Sequence, residues 1–348
     1  MSRKITVNMA SESEISVQGH GVHTAFEELA SALEKRDSIT LIRGGFGKNV
    51  ECDVYHLHTI GSHMWRKILA KNVPKVVSAH VIPASFVGSI RLAKYWQPVA
   101  KWYMQWFYGK ADKVLAVSQT VADVLVNDLH LSSEKVSVLY NTIDMSRYRT
   151  TPEDTTKARQ KLNIAPSAFV VVGVGQVQPR KRLDTFVAMA QALPDVQFYW
   201  VGGIPFKQLG ADVARMQRLM KNTPKNLTIT DVIPHEEVQT YLQAADVFCL
   251  PAEQENHPMC VLEAAGVGLP IVLRGIPEYD DTFADDTLRC GDNQAFIAAI
   301  KQLQSSKKTH QAYCQKSAHI AQRFDSKAAA DTLEEMYREL IDKRTKES

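Results

Sequence analysis

Two glutamates, Glu255 and Glu263, stand eight residues apart on either side of a predicted strand-to-helix turn. The apolar run Val247–Leu250 before them predicts a buried strand, and the small residues that lead to Gly268 predict a helix. Carboxylates accept hydrogen bonds from hydroxyl groups, and the free N–H groups of a helix N-terminus favour anionic phosphate. The pattern therefore predicts a site for a ligand that carries both, such as a nucleotide sugar.

A second group of candidate residues follows Phe169–Val174, which is typical of a buried strand. Gly175 comes directly after that run, and three consecutive cations, Arg180, Lys181 and Arg182, lie a few residues further on. Cations at the end of a strand suit a diphosphate leaving group, because they neutralise the charge that develops on it. A solvated basic turn is the alternative interpretation of the same residues.

The stretch 245–272 resembles the donor site of retaining glycosyltransferases of family 4, which belong to the GT-B, glycogen phosphorylase-like superfamily. The resemblance rests on the Glu-x7-Glu pair, on the strand and Pro251 before it, and on the Gly-x-Pro exit at 268–270. It implies that Glu263 accepts the ribose hydroxyls and that Glu255 binds hydroxyls of the donor sugar. The residues between them that would contact sugar and diphosphate are Asn256, His257, Pro258 and Met259.

The resemblance extends to other parts of the chain. Lys181 matches the family lysine that binds the diphosphate, and Gly175 and Arg180 accompany it in the implied donor site. Gly21 belongs to a glycine-bearing loop whose backbone would approach the phosphate or the acceptor. His80 follows a predicted strand and matches a histidine near the reacting sugar carbon, where it would orient the donor and not act as a base. The implied catalytic residues are His80, Lys181 and Glu255.

Two positions depart from the family pattern. The arginine that usually follows the first glycine is replaced by Gln176, which removes one expected positive charge. The glycine that usually follows the lysine is replaced by Arg182. Either Arg180 or Arg182 is the candidate that restores the lost charge.

Candidate strands and helices alternate along the chain, which favours parallel sheets covered on both faces. The resemblance implies the GT-B fold, in which two Rossmann-like α/β domains face each other across a cleft. We predict domains at 1–148 and 149–325, a polar linker at 148–156, and a C-terminal helix in 326–348 that crosses back to the first domain. Strands are predicted at 5–9, 39–42, 54–57, 76–79, 114–117, 136–139, 169–174, 198–201, 227–230, 247–250 and 271–273.

The composition limits the class of protein. The 348 residues suit two domains, and 45% hydrophobic with 23% charged residues is typical of a soluble globular protein. The five cysteines are far apart, which indicates neither a disulfide framework nor a zinc ribbon. Without a signal peptide or a membrane-spanning run, a cytoplasmic protein is predicted. Asp-x-Asp, which would bind a metal with the diphosphate, does not occur, so we predict chemistry without a metal or other cofactor.

The segment 64–113 contains nine Lys and Arg but only one acid, Asp112. We predict a helix with Pro98 in its first turn and Lys101 outside an apolar face formed by Val99, Trp102, Tyr103, Trp106 and Phe107. Aromatics on one side with cations beside them resemble an interfacial anchor for anionic lipid, whereas an ordinary core helix is the alternative. Nucleic acid is not predicted, because no RNA-binding module is recognisable. The predicted membrane or acceptor residues are Trp96, Lys101, Trp102 and Trp106.

Within the family, the chain resembles bacterial glycolipid synthases most. This implies retaining transfer of glucose or galactose from a UDP-sugar to diacylglycerol or glycosyl-diacylglycerol, by a protein bound peripherally to the inner face of the cell membrane. A transferase for polysaccharide or lipid-linked oligosaccharide is one alternative. A catalytically silent GT-B subunit, which Gln176 favours, is the other. The oligomeric state does not follow from these residues.

Overall fold

The computed structural model of the chain describes residues 3–15, 21–46, 48–86, 93–204, 212–283 and 285–347. Within these ranges the strands form two six-stranded parallel sheets. The strands of the first sheet are β1 (Ile5–Ala10), β2 (Ile39–Arg43), β3 (Val54–Leu57), β4 (Lys75–Ala79), β5 (Lys113–Ala116) and β6 (Val136–Val138). Those of the second are β7 (Phe169–Val174), β8 (Val196–Val201), β9 (Leu227–Ile229), β10 (Val247–Leu250), β11 (Ile271–Arg274) and β12 (Leu288–Cys290).

Helices connect and cover these strands. In chain order they are α1 (Gly21–Glu34), α2 (Trp65–Ile68), α3 (Ala93–Gly109), α4 (Gln119–Asp123), α5 (Met145–Tyr148), α6 (Pro152–Lys161), α7 (Leu183–Ala192), α8 (Val213–Lys221), α9 (His235–Ala244), α10 (Met259–Val267), α11 (Asn293–Ser305), α12 (Lys307–Arg323) and α13 (Ser326–Glu347). A π-helical turn, Val124–Asp128, continues α4. The central strands β3, β4 and β10 are buried on both faces, as their continuous apolar runs require, whereas the edge strands β2 and β6 are only partly buried.

The order of the strands creates a switch point in each sheet. The first sheet has the order β2-β1-β3-β4-β5-β6, and the second has β12-β11-β10-β7-β8-β9. Successive strands are therefore added on opposite sides of a point between β1 and β3 in the first sheet, and of a point between β7 and β10 in the second. Ligands of open parallel sheets bind at such points, outside the carboxyl ends of the strands. In the second sheet the two loops at this point carry Lys181 and Glu255.

The chain divides into two compact units. One comprises Met1–Phe86, Lys94–Asp144 and Phe324–Ser348, and the other contains Met145–Arg323. The predicted domain limits differ from these divisions by four residues (148 against 144) and by two (325 against 323).

The C-terminal helix α13 belongs to the unit of the first sheet and packs on α1. Leu333 and Tyr337 of α13 are buried in one apolar cluster with Phe26 of α1. Arg36, just beyond α1, pairs with Asp331 of α13. The last helix is thus part of the core of this unit.

The linker prediction is wrong from Pro152 onward, because α6 begins there. The Asp154 N–H donates to the Thr151 hydroxyl (3.2 Å), and the Thr151 N–H donates to the Asp154 carboxylate (2.9 Å). This reciprocal capping box, with proline in the first helical position, is a strong helix start. The polar composition of the segment reflects the exposed beginning of a helix.

The predicted geometry of the aromatic helix is also wrong in two respects. Helix α3 extends over Ala93–Gly109, so Pro98 lies inside it and not in its first turn. The expected single apolar face is divided, since Phe107 is 0% exposed whereas Val99 and Trp102 are each 66% exposed. Met104, Phe107 and Tyr108 follow the i, i+3, i+4 spacing of the stripe that packs in the core, and Trp102 therefore points away from it.

Candidate functional site

The first part of the site lies at the carboxyl end of β7. The Gly175 N–H donates to the carbonyl of Val201 (2.9 Å), which holds the strand end against β8. A Cβ on Gly175 would lie 3.5 Å from the Lys181 side chain, an ordinary contact distance, so Lys181 packs directly beside the strand end. A short 3₁₀ turn, Pro179–Lys181, then places Lys181 in the interior, 7% exposed.

Arg182 occupies a backbone conformation that favours glycine, with φ 56° and ψ 51°. For a residue with a side chain this left-handed conformation costs roughly 1–2 kcal/mol. Its guanidinium donates to both Asp184 oxygens (2.9 and 3.1 Å) and pairs with Glu253. The side chain of Arg182 is thereby bound to two carboxylates other than Glu255.

Glu255 is the centre of the site. Its carboxylate is buried, and the same oxygen, Oε1, accepts hydrogen bonds from the Arg180 guanidinium (3.1 Å) and the Lys181 ammonium. Burial by itself raises the pKa of Glu255, but the charges of Lys181 and Arg180 and their hydrogen bonds lower it below its usual value. The carboxylate is therefore ionised inside the protein, with two cations on one oxygen.

The loops after β7 and β10 are also joined by hydrogen bonds to their backbone carbonyls. The Glu253 N–H donates to the carbonyl of Arg180, and the Arg180 guanidinium donates to the carbonyl of Gln254, both at 2.8 Å. These contacts fix the cations relative to Glu255. A cavity of about 400 Å³ beside the two loops is lined by Pro179, Arg180, Arg182, Asp184, Arg215, Met216, Glu253 and Gln254.

The residues between the two glutamates pack the turn into α10. Asn256 accepts a hydrogen bond from the Gln254 amide (3.2 Å), Pro258 precedes the first helical residue, and Met259 is buried. The His257 ring stacks on the Phe283 ring with centroids 5.1 Å apart. Burial and, secondarily, the charge of Arg323 lower the pKa of His257 to about 3, so this imidazole is neutral.

Glu263 lies on α10 and is 4% exposed. It is hydrogen-bonded to His235, the first residue of α9, with Nε2 and Oε1 2.9 Å apart. His235 was not predicted from the sequence, because a single histidine at the start of a helix, 28 residues from Glu263, has no local pattern that marks it. The packing of α9 against α10 brings the two residues together.

His80 lies in the other unit, in a group of three histidines at the carboxyl ends of β3 and β4. His58 Nδ1 and His80 Nε2 are hydrogen-bonded at 3.0 Å, and their rings stack. His56 is hydrogen-bonded to the hydroxyls of Ser78 (2.8 Å) and Tyr337 (2.6 Å). The His-x-His pattern at the end of a predicted strand was the sequence signal that could have revealed this group.

His56 and His58 are buried and His80 is half-buried, and the loss of hydration keeps all three neutral. It lowers the pKa of His56 to about 3, with the charge of His80 as a second cause, and it lowers the pKa of His80 to about 4. The pKa of His58 also lies well below its ordinary value, first through burial and then through the charges of the other two. A neutral imidazole at His80 can hydrogen-bond a hydroxyl group but carries no charge at neutral pH.

The remaining predicted residues lie in the same unit as His80. Gly21 is the first residue of α1, while Gly19 and His20 of the same predicted loop lie outside the described residues. Trp102 is exposed and Lys101 half-buried. Trp96 packs against Phe86 (5.1 Å between ring centroids), and Trp106 packs against Trp65 and Phe107.

Comparison with known proteins identifies the family. The model described as glycosyl transferases group 1 matches residues 154–319, and the model described as glycosyltransferase family 4 matches residues 38–147. The alpha-galactosylglucosyldiacylglycerol synthase of Streptococcus pneumoniae is 32% identical over 282 residues, 80% of this chain and 74% of that protein. The chain belongs to the family 4 glycosyltransferases. The processive diacylglycerol alpha-glucosyltransferase of Acholeplasma laidlawii is 26% identical over 83% of this chain and 86% of its own length.

Solved structures agree with the fold of this glycosyltransferase. HepE of Anabaena in complex with UDP-glucose has a TM-score of 0.76 and 17% identity, covering 96% of this chain and 100% of that one. Sucrose-phosphate synthase of Thermosynechococcus elongatus has a TM-score of 0.76 and 16% identity, covering 97% and 99%. The predicted α/β fold of GT-B type, with two Rossmann-like domains, is confirmed, and so is the predicted glycosyltransferase family.

Two further findings bear on cofactor and membrane. In the part of the chain that the structure describes, no three His, Cys, Asp or Glu side chains group as a metal site would require, and the absence of a metal requirement stays a prediction. Of the described helices, none combines the length and apolar character needed to cross a bilayer.

The buried histidines predict how stability depends on pH. Their pKa values are lower in the folded protein than the ordinary 6.5, so the unfolded chain binds protons that the folded chain does not. The free energy of unfolding should therefore decrease as the pH falls through about 6.5 toward about 4. Urea unfolding at several pH values in this range measures the effect.

Substitution separates this effect from the titration of carboxylates. The variant His58→Asn should show a smaller loss of stability between about pH 7 and pH 5 than the wild type, because one buried imidazole is removed. The variant His319→Ala, whose histidine is 69% exposed, should behave as the wild type does. Equal pH profiles for all three proteins would contradict the buried neutral state of this group.

Proposed function

We propose that this glycosyltransferase moves a glucose or galactose residue, with retention of configuration, from a UDP-sugar to a diacylglycerol or glycosyl-diacylglycerol acceptor in a membrane. The donor half of the proposal rests on the Glu255 carboxylate with Lys181 and Arg180 at a switch point, where ligands of parallel sheets bind. The acceptor half is supported by two relatives, the alpha-galactosylglucosyldiacylglycerol synthase and the processive diacylglycerol alpha-glucosyltransferase. HepE, which binds UDP-glucose, supports the choice of nucleotide.

In the proposed donor complex, Lys181 and Arg180 bind the diphosphate and stabilise its charge as it leaves. Arg180 supplies the charge that Gln176 lacks, since its guanidinium already contacts Glu255, whereas Arg182 is bound to Asp184 and Glu253. An ionised carboxylate has about four acceptor positions. Glu255 uses two of them for the cations and retains capacity for hydroxyls of the hexose.

The proposed reaction breaks the bond between the anomeric carbon and the leaving phosphate oxygen. It forms a bond from the same face of the sugar between that carbon and the acceptor hydroxyl oxygen, and the acceptor proton passes to the departing phosphate. No protein carboxylate acts as nucleophile, so the paired-carboxylate mechanism of glycoside hydrolases does not apply. His80 hydrogen-bonds a hydroxyl of the donor sugar and orients it. The proposal requires no metal ion.

The proposed membrane contact is an aromatic patch on the unit of the first sheet. Its members are the exposed side chains of Trp65, Leu69, Tyr95, Val99 and Trp102. The Trp65 indole donates to the Tyr103 hydroxyl (2.8 Å), which joins the segments around α2 and α3 in one surface. Exposed Arg66 and Lys71 lie in the same segment as Trp65 and add positive charge. Exposed aromatics with cations suit an anionic lipid surface, to which the protein would bind peripherally at the cytoplasmic face.

The activity can be tested with lipid acceptors directly. Purified protein is incubated with UDP-glucose or UDP-galactose and anionic liposomes containing diacylglycerol or glucosyl-diacylglycerol, and the lipids are analysed by mass. We expect a lipid product heavier by one hexose, formed with an α linkage, and no product from Glu255→Gln. Release of UDP without a lipid product would contradict the lipid acceptor and favour a saccharide. Absence of both would contradict catalysis and favour a binding subunit.

The aromatic patch predicts the effect of Trp102→Ser on membrane binding. Burying an aromatic side chain contributes about 1.5–3 kcal/mol when complete, so partial insertion predicts a loss of vesicle affinity of roughly 3- to 10-fold. Sedimentation with phosphatidylglycerol vesicles measures the loss. Val232→Ser, which changes an exposed apolar residue of the other unit, is the matched control and should bind as the wild type does. Equal binding by both variants, with unchanged melting temperatures, would contradict this surface.

A further inference from the structure

His235 and Glu263 form a pair whose histidine the proposed mechanism does not use. We propose that His235 is a positioning residue, which holds the Glu263 carboxylate in the orientation that accepts the ribose hydroxyls of the donor nucleotide. The inference rests on the proposed UDP-sugar donor and deepens it by adding a residue for nucleotide binding.

The geometry gives His235 this position. Its Nε2 lies 2.9 Å from Glu263 Oε1, and the Glu263 side chain is 5% exposed while that of His235 is 37% exposed. In the described part of the chain, His235 is the one side chain that hydrogen-bonds this carboxylate. The cations of the site, Lys181 and Arg180, pair with Glu255 instead.

A glutamate that binds ribose benefits from a partner of this kind. Its long side chain loses rotational freedom when it is ordered, and that loss opposes binding if it occurs only when the ligand arrives. A hydrogen bond already present in the free protein orders the carboxylate beforehand. One donor on Oε1 leaves the other acceptor positions for two ribose hydroxyls.

The position of His235 is itself fixed by the backbone. It follows Pro234, whose ring restricts the φ angle, and it is the first residue of α9. Helix α9 packs against α10, which carries Glu263. The imidazole is therefore held between a rigid helix start and the carboxylate, yet it is exposed enough to be replaced without opening the core.

The experiment compares two nucleotides that differ in the ribose hydroxyls. Binding of UDP and of 2′,3′-dideoxy-UDP is measured by titration calorimetry for the wild type, His235→Ala and His235→Gln. We expect His235→Ala to weaken UDP binding about 3- to 10-fold, the range of one hydrogen bond, and to leave dideoxy-UDP binding unchanged. His235→Gln, which retains an N–H donor, should recover most of the UDP affinity. His319→Ala, at an exposed histidine of the same unit, is the matched control.

A second comparison tests whether His235 acts through Glu263. In the background of Glu263→Gln, the substitution His235→Ala should have little further effect on UDP binding, because coupled residues are not additive. Unchanged UDP binding by His235→Ala, or equal losses for UDP and dideoxy-UDP, would overturn the inference. A wild type that does not bind UDP would overturn the UDP donor itself, which distinguishes the two failures. Melting temperatures confirm that each variant is folded.

Discussion

The buried carboxylate of Glu255, shared by the ammonium of Lys181 and the guanidinium of Arg180, is the interaction on which the donor site depends. An isolated charge in the interior is strongly destabilising, so the carboxylate and the cations must be present together. They come from the loops after β7 and β10, which are sequence-distant but adjacent in the sheet. The backbone contact from Glu253 to Arg180 holds the same two loops together. The loop after β7 thus supplies the two cations and the loop after β10 supplies the carboxylate, and the switch point of the sheet brings them together.

The two units differ in the kind of surface they offer. The unit of the second sheet concentrates charge around Glu255 and Glu263, which suits a polar, phosphorylated donor. The unit of the first sheet buries its neutral histidines and exposes large apolar side chains such as Trp102, which suits a partner with an apolar phase. A transferase that joins a water-soluble sugar donor to a lipid needs both kinds of surface. The charged site of one unit suits the sugar donor of the proposed reaction, and the exposed apolar side chains of the other unit suit its lipid acceptor.

Much of the fold was predictable because parallel strands must be apolar along their whole length. Each of the eleven predicted strands is present within two residues of its predicted limits. The strand Leu288–Cys290 was missed because it has only three residues and lies at the edge of its sheet with Arg289 exposed, so it lacks the apolar run. Helix starts were harder to predict, because a proline such as Pro152 is compatible both with a linker and with the first position of a capped helix. In α3, which contains Pro98, aromatic residues occur on both faces of the helix. The sequence therefore did not distinguish the face that packs in the core.

The candidate site was predictable only in part. Glu255, Glu263 and Lys181 were found because their spacing and the strands before them form a recognisable pattern. The partners His235 and His58 were missed, because their hydrogen bonds join segments that only the tertiary fold brings together. The sequence likewise left Arg180 and Arg182 as equal candidates for the missing charge. Side-chain contacts distinguish them, since Arg182 is bound to Asp184 and Glu253 whereas Arg180 contacts Glu255.

The most direct test of this account is the affinity for UDP of three arginine variants, measured by titration calorimetry. A hydrogen bond to a charged group contributes about 1.5–3 kcal/mol, so Arg180→Gln should weaken UDP binding by about tenfold or more. The controls are Arg182→Gln and Arg215→Gln, which change two other arginines beside the same cavity. If Arg180 is the one of these three arginines that contacts the diphosphate, both controls should bind UDP within about twofold of the wild type. Equal affinities for all three variants and the wild type, or a larger loss for Arg182→Gln, would contradict the central role of the Arg180, Lys181 and Glu255 cluster.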